Sequence, residues 1–302
     1  MKPQHVDMSI IIPTYQREQV LLETIAHVRA LGGPPREIII VDQTAHHLPD
    51  TAEQLAALHS AGSIRWLTLD RPSITHAMNV GLQAALGDVV LFLDDDVVPH
   101  QNLLRAHASA QAEGHTIVAG RVEQPWEHDL GPSDPRRSGF SGQERRWVSE
   151  VMGGNLSIAR PLAIRLGGFD ENFVQVAYRF EAEFADRVLA AGERMMFEPA
   201  ASLRHLKVPA GGTRSFGDHL ETARPAHTVG AYYYLMRAKL VQGRMLKILG
   251  RPLRSILTRH HLTRPWWIPI TLMSELLGLA WAVSLYVRGP VLLNEEPPVG
   301  TK

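Results

Sequence analysis

Over residues 1–120 short apolar runs alternate with stretches that carry helical spacing. Ser9-Ile10-Ile11-Ile12, closed by Pro13, reads as a buried parallel strand, which lacks the polar alternation of a half-exposed one. Residues 20–31 have helical periodicity and stop at Gly32-Gly33-Pro34-Pro35. Residues 37–41 form the next strand, with Asp42 at its C-terminal end, followed by a polar helix around 50–59 and a strand over 64–69. The spacing predicts a helix over 73–86, stopped by Gly87, and then a buried strand, Val89-Val90-Leu91-Phe92-Leu93, that runs into Asp94-Asp95-Asp96. Such a rhythm argues for an α/β fold with a mostly parallel central sheet and helices on both faces. Ligands of these sheets sit outside the carboxyl ends of the strands, where Asp42 and Asp94 to Asp96 lie.

Further along, a helix is expected over 99–113 and a strand over 117–122. Residues 124–146 hold Pro125, Gly131-Pro132, Pro135, Gly139 and Gly142 among scattered charges, which reads as a long loop of the lid or binding kind. Its Arg136-Arg137 and Arg145-Arg146-Trp147 suit an anionic acceptor such as a lipid-linked phosphate. A helix over 181–191 and two short strands, 195–197 and 202–206, follow. From Pro225 onward only helices are expected, with basic residues at Arg237, Lys239, Arg244, Lys247, Arg251, Arg254 and Arg259. Two regions result: 1–220, which carries the chemistry, and a helical 221–302.

Residues 266–287 are long enough to cross a bilayer, yet they include Pro269, two serines and Glu275, a costly charge at mid-depth. Spanning the membrane, lying at its interface, or packing as a buried or dimer helix all remain open. Trp266-Trp267 and Tyr286 suit an interface, and the basic helices before them suit anionic headgroups. The expected location is cytoplasmic, peripheral to the inner face of the membrane.

Lys and Arg total 31 and so do Asp and Glu, so no net field recruits nucleic acid. Cysteine is absent, which removes disulfides, thiolate metal sites and Cys nucleophiles. The polar start, residues 1–7, shows no secretory signal. The paired histidines His46-His47 and His260-His261 read as surface residues.

Three consecutive carboxylates at a strand end repel one another, and a divalent cation, Mn²⁺ or Mg²⁺, resolves the conflict. Asp94 to Val98 also fits the D-x-D-x-V arrangement of haloacid-dehalogenase-type phosphotransferases, with Asp94 as nucleophile. The joint pattern decides between them. The segments 9–17, 38–42, 77–81, 85–88 and 92–96, then Gly153-Gly154-Asn155-Leu156-Ser157-Ile158 and Gly167-Gly168-Phe169-Asp170-Glu171, resemble the family 2 glycosyltransferases in order and spacing over roughly residues 8–206.

That resemblance implies a GT-A fold, a nucleoside-diphosphate sugar as donor, and transfer with inversion to a glycan or lipid-linked acceptor in polysaccharide or glycolipid synthesis. It implies that Pro13, Thr14, Tyr15 and Arg17 flank the nucleotide and that Asp42 bonds the base. Asp94 would approach the ribose and Asp96 bind the metal, with Asp95 the ambiguous middle residue. Asn79 and Asn155 would touch the donor, and His205 would complete the metal site. The family often has Arg or Lys at Met78, which leaves Arg71 or His76 as the residues to compensate for that cation. For the general base the family's Glu-Asp pair is not intact; Glu181 is the first candidate and Glu183 the second. Gly211-Gly212-Thr213-Arg214 suits a phosphate grip, whereas Asp170 is expected to be architectural. Besides the phosphotransferase, a non-catalytic nucleotide-binding member is the remaining alternative, supported by Met78 and the altered base motif.

Overall fold

The structure, a computed structural model, describes residues 6–33, 35–131, 134–217 and 220–293. Pro34 of the expected helix stop, Pro132 of the expected loop and the outer ends of the two expected regions lie outside those residues.

β1 (Met8–Thr14), α1 (Gln19–Arg29), β2 (Glu37–Asp42), α2 (Pro49–Ser60), β3 (Arg65–Thr68), α3 (Ile74–Ala84) and β4 (Val89–Leu93) follow the expected alternation. The four strands are parallel in the order β3-β2-β1-β4. Ile10 and Ile12 of β1 pack into one apolar cluster with Leu21, Ile25 and Val28 of α1, while Ile11 joins Ala77, Met78 and Leu82 of α3 on the other face. An isoleucine run is therefore apolar on both sides because both sides are covered.

Beyond β4 the sheet becomes mixed. β5 (Val97–Pro99), α4 (Leu103–Ala112), β6 (Ile117–Glu123), β7 (Arg146–Val148), β8 (Asn155–Ala159), α5 (Arg160–Arg165), α6 (Phe180–Ala190) and β9 (Met195–His205) complete the layered part. The order continues β4-β8-β6-β9-β5, with β7 paired to β9. β8 runs antiparallel to both β4 and β6, and β6 is parallel to β9. Pro99, expected in a helix, lies instead in β5, an outermost strand, where a missing N–H costs no ladder bond. The two strands expected near 195 and 202 are one, β9, whose register against β6 shifts between Gly120 and Arg121.

The remainder is helical: α7 (Thr228–Arg237), α8 (Arg244–Ile256), α9 (Arg259–Thr263) and α10 (Ile268–Arg288). It shares the core of the sheet, since Tyr232, Tyr233, Ile248, Ala282 and Leu285 belong to the cluster that holds Phe92 and Phe169. α10 buries Thr271, Ser274, Glu275, Gly278, Ala282 and Leu285 and leaves Met273, Leu276, Leu277, Val283, Tyr286 and Val287 exposed. Its approach to α7 is so close that a Cβ on Gly278 would stand 2.2 Å from Thr228 Oγ1. By length and composition Pro265–Arg288 could cross a membrane.

Candidate active site

The carboxyl ends of β1 and β4 and the segment after β9 enclose a pocket lined by Pro13, Thr14, Tyr15, Arg17, Asp94, Asp95, Asp96 and His205. The segment after β9 is tied to the β1 end: Gly212 N donates to Tyr15 O at 2.7 Å, and Arg17 Nη1 donates to the carbonyls of Val208 and Ala210. Gly211 (φ 82°) lies so near this loop that a Cβ would come within 2.3 Å of Gln16 O.

The three aspartates have three different environments. Asp95 points inward, accepting from Thr14 Oγ1 at 2.7 Å and Arg17 Nε at 3.2 Å, and Thr24 Oγ1 donates to its carbonyl at 2.9 Å. Burial pushes its carboxyl up to about 7, against the pull of Arg17 and Thr14. Asp96 lies 3.0 Å from His205 Nε2 through Oδ1 and accepts from Val208 N at 2.9 Å through Oδ2. Burial opposes its charge, but the His205 hydrogen bond and the charges of His205 and Arg17 hold it below the usual carboxylate range. Asp94 is the most open, at 34% side-chain exposure, with His205 Nε2 at 3.8 Å. Its carboxyl is raised, first by burial and then by Asp96, with His205 opposing.

Asp94, Asp96 and His205 each offer a ligand atom, all within 4.8 Å of one another. Two carboxylates and an imidazole suit Mn²⁺ or a similar divalent ion, and they leave coordination positions for phosphate oxygens. Sequence spacing alone does not bring His205 to the aspartates. The β5–β9 pairing does, through Val97 opposite His205.

Asp94 also borders a second cavity of about 430 Å³, whose wall includes Met78, Gly153, Gly154, Tyr178, Arg179 and Glu181. Asp94 keeps its place only beside a glycine at 154, because a Cβ there would stand 2.1 Å from Asp94 Oδ2. Glu181, in the first turn of α6, accepts from Gly153 N at 2.7 Å through Oε1. Burial pushes its carboxyl up to about 7; the Gly153 hydrogen bond opposes this and the charge of Asp94 reinforces it. Immediately before α6, Gln175 (φ 58°), Ala177 (φ 52°) and Arg179 (φ 75°) all take left-handed conformations that non-glycine residues rarely adopt. Strain of this kind collects at functional sites.

Several expected ligands do other work. Asp42 is fully buried, holding Thr44 N (2.9 Å), His47 Nε2 (2.6 Å) and Trp66 Nε1 (2.9 Å), and its neighbour Gln43 reaches the pocket wall instead. His47 is thus no surface residue, and the Asp42 and Glu18 carboxylates raise its pKa against the effect of burial. Asn79 fastens the turn at 168–171, exchanging bonds with Phe169 O and N at 2.8 Å each. Asn155 bonds the carbonyls of Arg121 and Ala201 and the ring of His107, so it locks strands rather than facing a ligand. Glu183 is buried in a two-pronged pair with Arg187 at 2.8 and 2.9 Å, away from both cavities. Arg71 is exposed and outside both cavity walls, and His76 is paired with Glu171 at 3.0 Å. Asp170 is architectural, accepting from Tyr233 OH at 2.7 Å. His261 is buried between Thr258 and Thr271. The lid arginines are engaged locally: Arg136 with Asp134, Arg137 with the carbonyls of Glu127 and Leu130, Arg145 with Glu113 and Glu198, and Arg146 over the Phe197 ring.

Residues 9–152 match the family model described as glycosyl transferase family 2. Glucosyl-dolichyl phosphate glucuronosyltransferase of Haloferax volcanii is 24% identical over 219 residues, 66% of this chain and 68% of that protein. The crystal structure of GalNAc-T7 with UDP, GalNAc and Mn²⁺ aligns with a TM-score of 0.62 at 14% identity, covering 94% of this chain and 57% of that one. The mannosyltransferase PcManGT from Pyrobaculum calidifontis, in complex with GDP-Man and Mn²⁺, aligns with a TM-score of 0.56 at 18% identity, covering 95% and 80%. The chain therefore spans little more than half of the first of these two structures. The shared fold is of GT-A type.

Proposed function

We propose that this chain, whose residues 9–152 match the glycosyl transferase family 2 model and whose fold is of GT-A type, moves one sugar from a nucleoside-diphosphate donor to an acceptor hydroxyl with inversion. One observation carries the reading. Asp94 is the shared wall of two cavities, with Asp96 and His205 on one side and Glu181 on the other. A leaving diphosphate and an attacking hydroxyl need opposite sides of the anomeric carbon, and this layout supplies both.

Pro13, Thr14 and Tyr15 line the donor pocket, and Asp94, Asp96 and His205 would hold a Mn²⁺ or Mg²⁺ ion. When bound, that ion neutralises charge on the departing nucleoside diphosphate. Glu181 takes the proton of the acceptor hydroxyl. The freed oxygen forms the new bond to the anomeric carbon while the bond to the diphosphate oxygen breaks and its electron pair leaves with the nucleotide. A carboxyl near pH 7 is well matched to that proton transfer. Thr14 and Arg17 act on Asp95, and through it on the shape of the rim.

On this reading residues 1–220 are the nucleotide-sugar-binding and catalytic region and 221–302 a helical, membrane-associated region of a cytoplasmic enzyme peripheral to the membrane, acting in polysaccharide or glycolipid synthesis. The name of the Haloferax relative, which joins a lipid phosphate to a sugar transfer, is consistent with that setting. The phosphotransferase reading is not favoured, because residues 9–152 match the glycosyltransferase family.

A thermal-shift panel of nucleoside diphosphates with and without Mn²⁺ tests the donor site. One nucleotide should raise the melting temperature only with the metal, and Asp96→Ala should abolish that rise. No shift with any nucleotide would remove the enzyme assignment.

A further inference from the structure

A third cavity, of about 640 Å³, opens between the end of the catalytic region and the C-terminal helices. It shares Glu150, Tyr178 and Arg179 with the cavity that holds Glu181, so the two are neighbours across one wall. From α8 it receives Lys247, Arg251 and Arg254. Arg251 is matched by the buried Glu275 at 3.1 Å. Among the described residues, Lys247 and Arg254 have no carboxylate within ion-pair distance. Two positive charges at a cavity without their own counter-ions call for an anion from outside.

α8 itself is turned unusually. A helix on a soluble protein hides its apolar stripe and shows its charges. Here the stripe is outward: Leu246, Leu249, Leu253 and Leu257 are 60–77% exposed, and of the helix only Ile248 is buried. Its basic residues, at 244, 247, 251 and 254, recur every three or four positions and share the opposite face. The charge is also regional: residues 222–274 contain nine Arg and Lys and no Asp or Glu, within a chain whose net charge is zero. Exposed Trp266 and the open side of α10 extend the apolar surface. An apolar outer stripe beside a basic cavity is complementary to an amphiphile with an anionic head, and free phosphate would not use the stripe.

We propose that this cavity binds the phosphate head of a lipid acceptor, that Lys247 and Arg254 hold that head, and that the leucine face of α8 rests in the lipid surface from which it comes. This names the acceptor side of the reaction proposed above and rests on that reading. It moves the anion-binding role from the lid arginines, which are occupied, to α8.

The test is sedimentation of the full chain with phosphatidylcholine vesicles that contain hexadecyl phosphate, phosphatidylglycerol at equal charge, or hexadecanol. Binding to hexadecyl phosphate vesicles should be about tenfold tighter than to either of the others, a difference within reach of two charge-assisted hydrogen bonds. The double variant Lys247→Gln/Arg254→Gln should remove that preference, and Leu249→Gln/Leu253→Gln should weaken binding to all three vesicles. Equal binding to phosphatidylglycerol, an unaffected Lys247/Arg254 variant, or equally tight binding of inorganic phosphate without vesicles would each overturn the proposal. The Mn²⁺-dependent nucleotide shift, measured on the same samples, separates the two readings: its absence in the native chain defeats the transferase, and its presence with no lipid preference defeats only the acceptor site.

Discussion

Replacing Glu181 by Gln tests the base most directly, because the structure predicts that little else changes. Gly153 N donates to Glu181 Oε1 at 2.7 Å, and a glutamine carbonyl accepts the same bond. The charges of Asp94 and Glu150 both push the Glu181 pKa up, so removing its own charge relieves repulsion. The folded pKa, about 7, lies above the ordinary 4.5, so folding favours the protonated carboxyl and stability falls as pH rises between those values. Glu181→Gln, fixed in the neutral form, should therefore melt no lower than the native chain at pH 6 and higher at pH 8. Loss of a general base costs about 10²- to 10⁴-fold, or roughly 3–5.5 kcal/mol of barrier. Transfer to an acceptor should fall by that amount while the Mn²⁺-dependent nucleotide shift persists. In the native enzyme kcat/KM should fall about tenfold per unit below pH 7, with about 1% of the carboxyl ionised at pH 5. Steady-state rates across pH 5–9 and melting curves of both proteins suffice. Turnover of Glu181→Gln within about tenfold of native, or a native rate flat to pH 5, refutes the assignment. The same behaviour in Glu183→Gln instead would place the base two residues on, where the structure shows a carboxylate already bound to Arg187.

Gly154→Ala puts a methyl group 2.1 Å from Asp94 Oδ2, so the carboxylate must leave its place; the metal-dependent nucleotide shift should vanish, as read by calorimetric titration. Asp42→Ala strands the Trp66 N–H and His47 in the interior, and urea unfolding should show a loss of about 3–5 kcal/mol. If Asp42 instead binds the base of the nucleotide, donor affinity will drop while stability hardly moves.

The sequence made β1 to β4 legible because a covered parallel sheet writes itself as β-branched runs closed by Pro, Gly or Asp, whereas β5, β7 and β8 and the order of strands in the sheet carried no such signal. The acidic rim was legible for the same reason: Asp94 to Asp96 end a run that can only be buried. What each carboxylate does there was not legible. Asp42 and Asp94 both end strands, yet Trp66 and His47 converge on the first, and those partners come from β3 and from the segment before α2. Asn79 and Asn155 looked like ligands, but an amide serves equally to tie backbone at a turn or between strands, and only tertiary contacts decide. The single strand β9 reads as two in sequence because Glu198 to Ala201 interrupt its apolar pattern, where the partner strand shifts register. Gln43 carried no signal beyond its place beside Asp42.

The rim also explains which of its cations is available to a donor. Asp95, drawn inward, is answered by Arg17 and Thr14. Arg17 further binds Asp96 at 3.4 Å and the carbonyls of Val208 and Ala210, so it is consumed in holding the 207–216 segment against the sheet. Arg214 also donates to Val208 O, but its side chain is 33% exposed, 3.6 Å from Asp96, and it lines the pocket beside Gly212 and Thr213. A diphosphate entering the pocket would meet Arg214 without unseating Arg17, and the loop could stay closed by the contacts it already has. The like charges of Asp94 and Asp96 are then left as the one electrostatic demand that no side chain of the rim meets in full, His205 standing 3.8 Å from the first and 3.0 Å from the second. A divalent ion held by Asp94, Asp96 and His205 would satisfy that demand and supply positive charge to a diphosphate, which is why nucleotide and metal are expected to bind together rather than independently.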